Sequence, residues 1–357
     1  MAFYWGICVF GIFCSMLVQF LKDKVSKRFF LFAFFFVLLV FSALRVNIGT
    51  DYDGHYQIYK EFLKGNFKIG MSEPLYMLIN LICINFGLGF PTVIAFSSFC
   101  TLYPIYRIAR NEDKPLLLLF YFLQMYLIGY CLVRQYMAIS FEIYGIYLWF
   151  FKCRRKHGLF FMVLGCLVHV SMWIFLVVFL AAKFLKVNNI LTVVLSVAVF
   201  LVSLKSNMIL DFVFSLAKKT KYGVYTDILN KDNKAVELGS GLGVFLRIIT
   251  YYILYYLNYK NNINPKYRNF FNIAFLALVV SDALSLKILI LTRLRFVFQI
   301  ILFIPLFTSR LNLKKVYTLS NTLLALLFLA YLVTYQGGAE WGDLPYQTIV
   351  FNSIKEN

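Results

Sequence analysis

The chain of 357 residues is 61% hydrophobic and only 14% charged, and its mean hydropathy is +0.76. Soluble domains carry about a quarter charged residues, so this composition excludes an ordinary soluble protein and predicts a polytopic membrane protein. The net charge of +19 would suggest a nucleic-acid partner for a soluble protein. In a membrane protein we expect it to mark the cytoplasmic loops instead, with no nucleic acid as partner.

Ten apolar segments have roughly the length that crosses ~30 Å of hydrocarbon. They lie at 3–21, 29–44, 90–106, 115–131, 136–151, 190–203, 242–258, 270–286, 295–308 and 316–334. Two further apolar stretches are irregular, because 74–88 is short and 159–182 is long with His169 near its middle. The pattern predicts an all-α transmembrane bundle of about 10–12 spans, with one or two re-entrant or broken helices.

Six basic clusters fix the predicted orientation. They carry 19 of the 35 Lys and Arg but three of the 16 acidic residues, a net charge of +16, whereas the rest of the chain carries +3. The positive-inside rule assigns all six to the cytoplasm. The clusters are 22–28, 107–114, 152–157, 183–189, 258–269 and 308–315.

This orientation constrains the two irregular stretches. Residues 74–88 must form a re-entrant or interfacial segment, and 159–182 must form two half-helices that meet near His169. Irregular backbone at membrane depth is tolerated where it lines a wet cavity, so we expect a cavity that opens outward. The largest outer loops are then 45–73 and 204–241, within a single integral membrane domain over 1–357.

Ionisable side chains inside apolar segments are costly, so each is a functional candidate. Several arginines and a histidine converge on the predicted outer side, and guanidinium groups suit a phosphate-bearing amphiphile. Simpler roles stay open: interfacial anchors for the arginines, a satisfied bundle histidine, or an ion pair between Arg247 and Glu142. The candidates are Arg134, Glu142, His169, Arg247, Asp282, Arg293 and Arg295.

The polar loop Arg45–Tyr59 adds carboxylates. Asp51 and Asp53 have a spacing that can hold a divalent cation against a diphosphate, although any two aspartates give it. In a helix Asp51 and His55 would share a face and could form an acid/base pair. The alternative is an Asx turn with solvated side chains.

Three polar motifs follow one another along nearly the whole chain. The first is RVNIGTDYDGHYQIY followed by EPLYMLIN, the second is VRQYMAISFEIYGIYLWF followed by a basic loop and LVHVSMWIFL, and the third is LTRLRFVFQIILFIP. This ordered set resembles the EpsG family of bacterial polysaccharide polymerases, which groups with the Wzy-type O-antigen and capsule polymerases. Residues 190–260 contain no motif of that family.

The resemblance implies a GT-C-like polymerase fold in the bacterial cytoplasmic (inner) membrane, with an active site that faces outward. The implied reaction joins undecaprenyl-diphosphate-linked repeat units, without a metal or other cofactor. Membrane lipid, a chain-length regulator and a flippase of the same pathway are the implied partners. The polar positions carried over are Arg45, Gly49, Asp51, Tyr52, Arg134, Gln135, His169 and Arg293, with Arg295 as a neighbour.

The implied roles follow from the chemistry. Arg134 and Arg293, with Arg45 or Arg295, would stabilise charge on the diphosphate leaving group. Asp51 or His169 would accept the proton of the attacking hydroxyl. A flippase for a lipid-linked or anionic solute and an O-antigen ligase are the rival functions, and the ligase uses the same donor chemistry.

Overall fold

The computed structural model describes residues 2–205, 242–260, 265–285 and 292–299, together with Thr348. Every regular element within those residues is helical, which confirms the all-α prediction for that part of the chain. Nearly all of the predicted loop 204–241 and the whole predicted segment 316–334 lie outside the described residues.

The described α-helices differ widely in length, and we number them in chain order. They are α1 (Ala2–Phe20), α2 (Lys24–Ala43), α3 (Tyr52–Leu63), α4 (Pro74–Asn85), α5 (Phe90–Asn111), α6 (Pro115–Tyr121), α7 (Ile128–Cys131), α8 (Val133–Ile146), α9 (Arg155–Val168), α10 (Met172–Phe184), α11 (Asn189–Lys205), α12 (Leu242–Lys260), α13 (Pro265–Ser285) and α14 (Thr292–Gln299). A 3₁₀ turn spans Lys68–Gly70, and π-helical turns span Phe122–Tyr126 and Tyr147–Phe151.

The two ends of helix α2 follow from its sequence. Asp23 is the N-cap, and its carboxylate accepts hydrogen bonds from the backbone N–H of Val25 (2.9 Å) and Ser26 (2.7 Å). An uninterrupted apolar run then carries the helix to Ala43. Among the described helices α2 has the length and apolarity to cross a membrane, whereas the apolar stretches of α1, α4, α10 and α11 are shorter.

The break predicted near His169 is confirmed. Helix α9 ends at Val168, α10 begins at Met172, and His169 itself has extended backbone angles (φ −148°, ψ 128°). The predicted short segment 74–88 contains a single short helix, α4, of 12 residues. The predicted crossing at 115–131 is interrupted, since the π-helical turn at Phe122–Tyr126 separates α6 from α7.

The chain forms two compact units. Among the described residues, the first unit contains 2–172 and Thr348, and the second contains 173–205, 242–260, 265–285 and 292–299. Helices α1 to α9 therefore belong to the first unit, and α10 belongs to the second from Trp173 onward. The single membrane domain stays a prediction.

In the first unit, α8 and α9 pack backbone against backbone. A Cβ on Gly145 would lie 2.8 Å from the carbonyl oxygen of Gly158, and a Cβ on Gly165 would lie 2.8 Å from a carboxylate oxygen of Glu142. Small residues allow such close approach between helices in a membrane protein. This contact fixes α9, and hence His169 beyond its end, against α8.

In the second unit, amides of α13 bind the connection between α10 and α11. The Asn269 side chain donates to the carbonyl oxygens of Ala182 (2.5 Å) and Leu185 (2.6 Å), and its oxygen accepts from the Val187 N–H (2.9 Å). Asn272 donates to the carbonyl oxygen of Val187 (2.8 Å). These bonds satisfy the carbonyl group of Ala182 in the last turn of α10 and those of Leu185 and Val187 in the connection that follows.

Candidate functional site

The centre of the site is Glu73, the residue before α4. Its Oε2 accepts a hydrogen bond from Nη1 of Arg134, and its Oε1 accepts one from Nδ1 of His169. The carboxylate is buried, with 6% of its side chain exposed, whereas the Arg134 side chain keeps 27% and that of His169 keeps 14%. We call these three residues the Glu73 cluster.

Three separate segments supply the Glu73 cluster. Glu73 precedes Pro74, which occupies the first turn of α4, where the missing proline N–H costs nothing. Arg134 is in the first turn of α8, 61 residues further along the chain, and His169 is in the α9–α10 break, 96 residues from Glu73. The fold of the first unit therefore assembles the cluster from a helix start, a second helix start and a helix break.

The charges in the cluster favour an ionised Glu73. Burial raises the pKa of Glu73, but the hydrogen bond from His169 and the positive charge of Arg134 outweigh it and hold the pKa below its ordinary value. An ionised carboxylate only accepts hydrogen bonds, so Nδ1 of His169 carries the proton in that contact. The other ring nitrogen, Nε2, is then available for a reacting group.

Aromatic and imidazole rings lie behind the cluster. The ring centroid of Tyr76, one turn after Glu73, is 5.7 Å from the guanidinium carbon of Arg134. The Tyr76 hydroxyl is 3.4 Å from Nδ1 of His55, which is buried with 3% exposed. Burial, followed by the charges of Arg134 and Arg45, lowers the pKa of His55 to about 3, so its ring is neutral.

Arg45 is buried beside this group, with 2% exposed. Its Nη1 donates to the carbonyl oxygen (2.6 Å) and the hydroxyl (2.9 Å) of Ser42, and it lies 3.3 Å from the hydroxyl of Ser98. The guanidinium carbon is 4.4 Å from the ring centroid of Tyr130, a cation–π contact. These residues line a cavity of about 20 Å³, room for about one water molecule.

The loop after Arg45 closely follows α7. Gly49 has φ +94°, and a Cβ there would lie 2.6 Å from the carbonyl oxygen of Tyr130, so the position requires glycine. Tyr52, at the start of α3, is buried with its ring centroid 5.4 Å from that of Phe90, and burial raises its pKa. Asp51 is the N-cap of α3 and is half-buried. Its pairing with His55 stays a prediction.

The second unit has its own buried carboxylate, Asp282. Its Oδ1 lies 3.0 Å from Nη2 of Arg247 and 3.2 Å from Nη1 of Arg295. The alternative that Arg247 pairs with Glu142 is therefore wrong, and Glu142 instead has the Cys166 thiol 3.7 Å away. We call Asp282 and its two arginines the Asp282 cluster. Arg293 is exposed at the start of α14.

The structure joins two of the predicted site residues, Arg134 and His169, through a carboxylate that was not among them. Gln135 follows Arg134 and is buried, with 2% exposed. Glu73 belongs to the Glu-Pro pair of the first motif, and that pair is the sequence signal that could have identified it. Its two partners are too distant along the chain for any local spacing to reveal the contact.

Comparison with known proteins returned one family. The model of the EpsG family matches residues 27–348, nearly the whole chain. No curated protein and no solved structure shows significant similarity to the chain. Members of the EpsG family are membrane proteins related to Wzy-type polymerases, with a glycosyltransferase-like role in making polysaccharide. From the extent of the match, and from the three motifs it spans, the chain belongs to the EpsG family.

Proposed function

We propose that the protein polymerises undecaprenyl-diphosphate-linked oligosaccharide repeat units into a surface polysaccharide at the outer face of the bacterial cytoplasmic membrane. The fold would be a GT-C-like bundle of about 10–12 spans, and the reaction would need no metal. The observation that carries the proposal is the Glu73 cluster, which joins Arg134 and His169. Family membership supports the class of reaction, and the cluster supports a location for it.

Arg134 is suited to bind the diphosphate of the donor. A guanidinium has five N–H donors, and the bond to Glu73 uses one of them, which leaves the others for phosphate oxygens. Its side chain keeps 27% exposure, so a ligand can reach it. A fixed cation next to the departing diphosphate stabilises the negative charge that develops as the bond to the sugar breaks.

His169 is suited to accept the proton. A hydroxyl of the acceptor repeat unit attacks the anomeric carbon of the donor, and its proton passes to Nε2 of His169. The new glycosidic bond forms as the bond to the diphosphate oxygen breaks, and undecaprenyl diphosphate leaves. Glu73 accepts the hydrogen bond from Nδ1–H, holds the ring in that tautomer and stabilises the imidazolium that forms.

The other predicted site residues have supporting roles in this proposal. Asp51, the alternative base, would position the acceptor, together with Tyr52 and Gln135. The guanidinium of Arg45 contacts Ser42, Ser98 and Tyr130. Its positive charge would therefore stabilise the diphosphate by long-range electrostatic attraction and not by direct contact. We keep Arg293 and Arg295 as predicted diphosphate ligands.

Deletion of the gene separates the three candidate functions. Surface polysaccharide that stops at single repeat units supports a polymerase. Accumulated polymer that is not attached to its carrier supports a ligase, and loss of all outer-face product supports a flippase. Either of the last two results contradicts the proposal.

Complementation of the deletion tests the residues. Plasmids that carry Arg134→Ala or His169→Ala should give single-repeat chains, whereas Arg154→Ala and His157→Ala, exposed residues of a predicted cytoplasmic loop, should restore full chain lengths. Immunoblots of membrane fractions must show equal protein for all four variants. Normal chain lengths with both Arg134→Ala and His169→Ala would remove the Glu73 cluster from the reaction.

A further inference from the structure

A basic pocket lies at the end of the first unit where α2 begins and α5 ends. Its volume is about 350 Å³, at the lower end of the range for small-ligand sites. Four cations line it together with Asp113 and Asn111, which leaves a net charge of +3. The cations are Lys24, Arg28, Arg107 and Arg110.

The charges of this pocket are not balanced by the protein. In the described part of the chain none of its four cations forms an ion pair, and Arg107 has a hydroxyl partner instead, that of Tyr103 at 3.2 Å. The neighbouring basic segment 152–157 differs, because Lys152 pairs with Glu112 at 2.9 Å. Four cations around one concave surface repel one another, and a bound anion would relieve that repulsion.

The pocket is far from the Glu73 cluster. Helix α2 has 20 residues, and at 1.5 Å per residue it is about 30 Å long. The pocket contains Lys24, the first residue of α2. Arg45 lies two residues beyond the last residue of α2, and its charge lowers the pKa of His55, beside the Glu73 cluster. The two sites therefore lie at opposite ends of α2, and the positive-inside rule assigns the pocket to the cytoplasmic face.

We propose that this pocket binds a phosphate-bearing anion at the cytoplasmic face of the membrane. Three arginines offer planar pairs of N–H donors, which match phosphate oxygens. An anionic phospholipid headgroup and a soluble diphosphate share that chemistry, and the anionic cytoplasmic leaflet supplies the first at high local concentration. The site is separate from the proposed polymerising site, and its test measures binding alone.

Thermal unfolding of the full-length protein in a neutral maltoside detergent tests the proposal. The protein is titrated with inorganic pyrophosphate, with dioctanoyl phosphatidylglycerol, and with dioctanoyl phosphatidylcholine as the reference without net charge. Arg28→Gln with Arg110→Gln removes two charges from the pocket. Arg154→Gln with Lys156→Gln removes two charges from the exposed segment 152–157 and is the matched control.

We expect an anionic probe to raise the unfolding midpoint of the wild type, while phosphatidylcholine does not. The apparent Kd should rise at least tenfold in the pocket variant and less than twofold in the control. A response to phosphatidylglycerol alone identifies a lipid headgroup, and a response to pyrophosphate alone identifies a soluble ligand.

Two results overturn the proposal: no response of the wild type to either anionic probe, or equal weakening in the two double variants. The titration of the wild type alone is enough to detect the first of these results. If the double variant does not fold, Arg28→Gln alone, a change at an exposed residue, replaces it with the same expected direction.

Discussion

The Glu73 cluster and the Asp282 cluster have the same plan but different chemistry. In each, one buried carboxylate holds two nitrogen-bearing side chains drawn from other parts of the chain. Asp282 is fully buried and both of its partners are arginines, which stay protonated in proteins. One partner of Glu73 is His169, the side-chain type that gains and loses a proton near neutral pH.

The difference shows that the side chains paired with a buried carboxylate determine whether the group can take part in proton transfer. An Arg–Asp–Arg group cannot move a proton, and Asp282 connects α12, α13 and α14 through its two arginines. A His–Glu–Arg group can hold a proton at one partner and keep a fixed positive charge at the other. We therefore expect substitutions in the Glu73 cluster to change the reaction, and substitution of Asp282 to change stability.

The largest expected effect is on the reaction in the Glu73→Gln variant. The amide keeps the shape of the carboxylate but cannot stabilise an imidazolium, so we expect the rate of chain elongation to fall about 10²- to 10⁴-fold. The measurement is elongation of synthetic lipid-linked repeat units by purified protein, repeated across pH. The dependence of the rate on pH should differ from that of the wild type.

Glu61→Gln is the control for this variant, because Glu61 lies in α3, within the same predicted outer segment 45–73, but pairs with exposed Lys64. Its rate and its pH profile should match those of the wild type. A Glu73→Gln protein with the wild-type rate and profile would reduce Glu73 to a structural residue like Asp282.

The next effect is on stability in the Asp282→Asn variant. Loss of the carboxylate leaves Arg247 and Arg295 without their anionic partner, which for buried pairs costs about 3–5 kcal/mol. Arg247 keeps 27% exposure, so we expect the lower end, about 3 kcal/mol. Denaturant unfolding in detergent measures it, with Asp53→Asn at an exposed position as the control. Equal stability of the two variants would contradict the structural role of Asp282.

A smaller loss of stability is expected when alanine replaces Gly49, the glycine of the loop after Arg45 that packs against Tyr130. The backbone there has φ +94°, and an added Cβ would lie 2.6 Å from the Tyr130 carbonyl oxygen, so we expect a loss of about 2 kcal/mol. Gly54→Ala is the matched control, since Gly54 is in helix α3 and a Cβ there meets nothing within 4 Å. That substitution should leave stability unchanged or raise it. Equal losses would show that the loop moves freely to accept the new side chain.

The smallest effect is a pH dependence of stability that comes from His55. Burial, with the charges of Arg134 and Arg45, lowers its pKa to about 3 in the folded state, against about 6.5 when unfolded. The unfolded chain therefore binds more protons, and stability falls as the pH drops below 6.5.

Between pH 6.5 and 5.5 this loss should be about 1 kcal/mol, and it should disappear in the His55→Gln variant. Unfolding midpoints of the two proteins at both pH values measure it. His157→Gln, at an exposed histidine, should keep the wild-type dependence. A His55→Gln protein with that same dependence would show that the ring is not held neutral.

Local sequence features were enough to predict most of the helices and the break at His169. Apolar runs set helix positions because burial or lipid contact favours them wherever they occur, and the run around His169 is broken at that polar residue. The partners of Glu73 could not be predicted this way, since contacts over 61 and 96 residues depend on how the helices pack. The burial of Arg45 and the pairing of Arg247 with Asp282 depend on the same packing.

The glycine contact between α8 and α9 has a consequence for how accurately the cluster is built. Arg134 starts one of these helices and His169 follows the other, so a slip of one residue along the contact would displace them by about 1.5 Å. Reacting groups need to be placed within about 0.5 Å. Gly145 and Gly158 meet through backbone atoms, which give way less readily to such a slip than a flexible side chain does. If the proposed reaction takes place at the Glu73 cluster, the accuracy of its geometry is set at glycines that take no part in the chemistry.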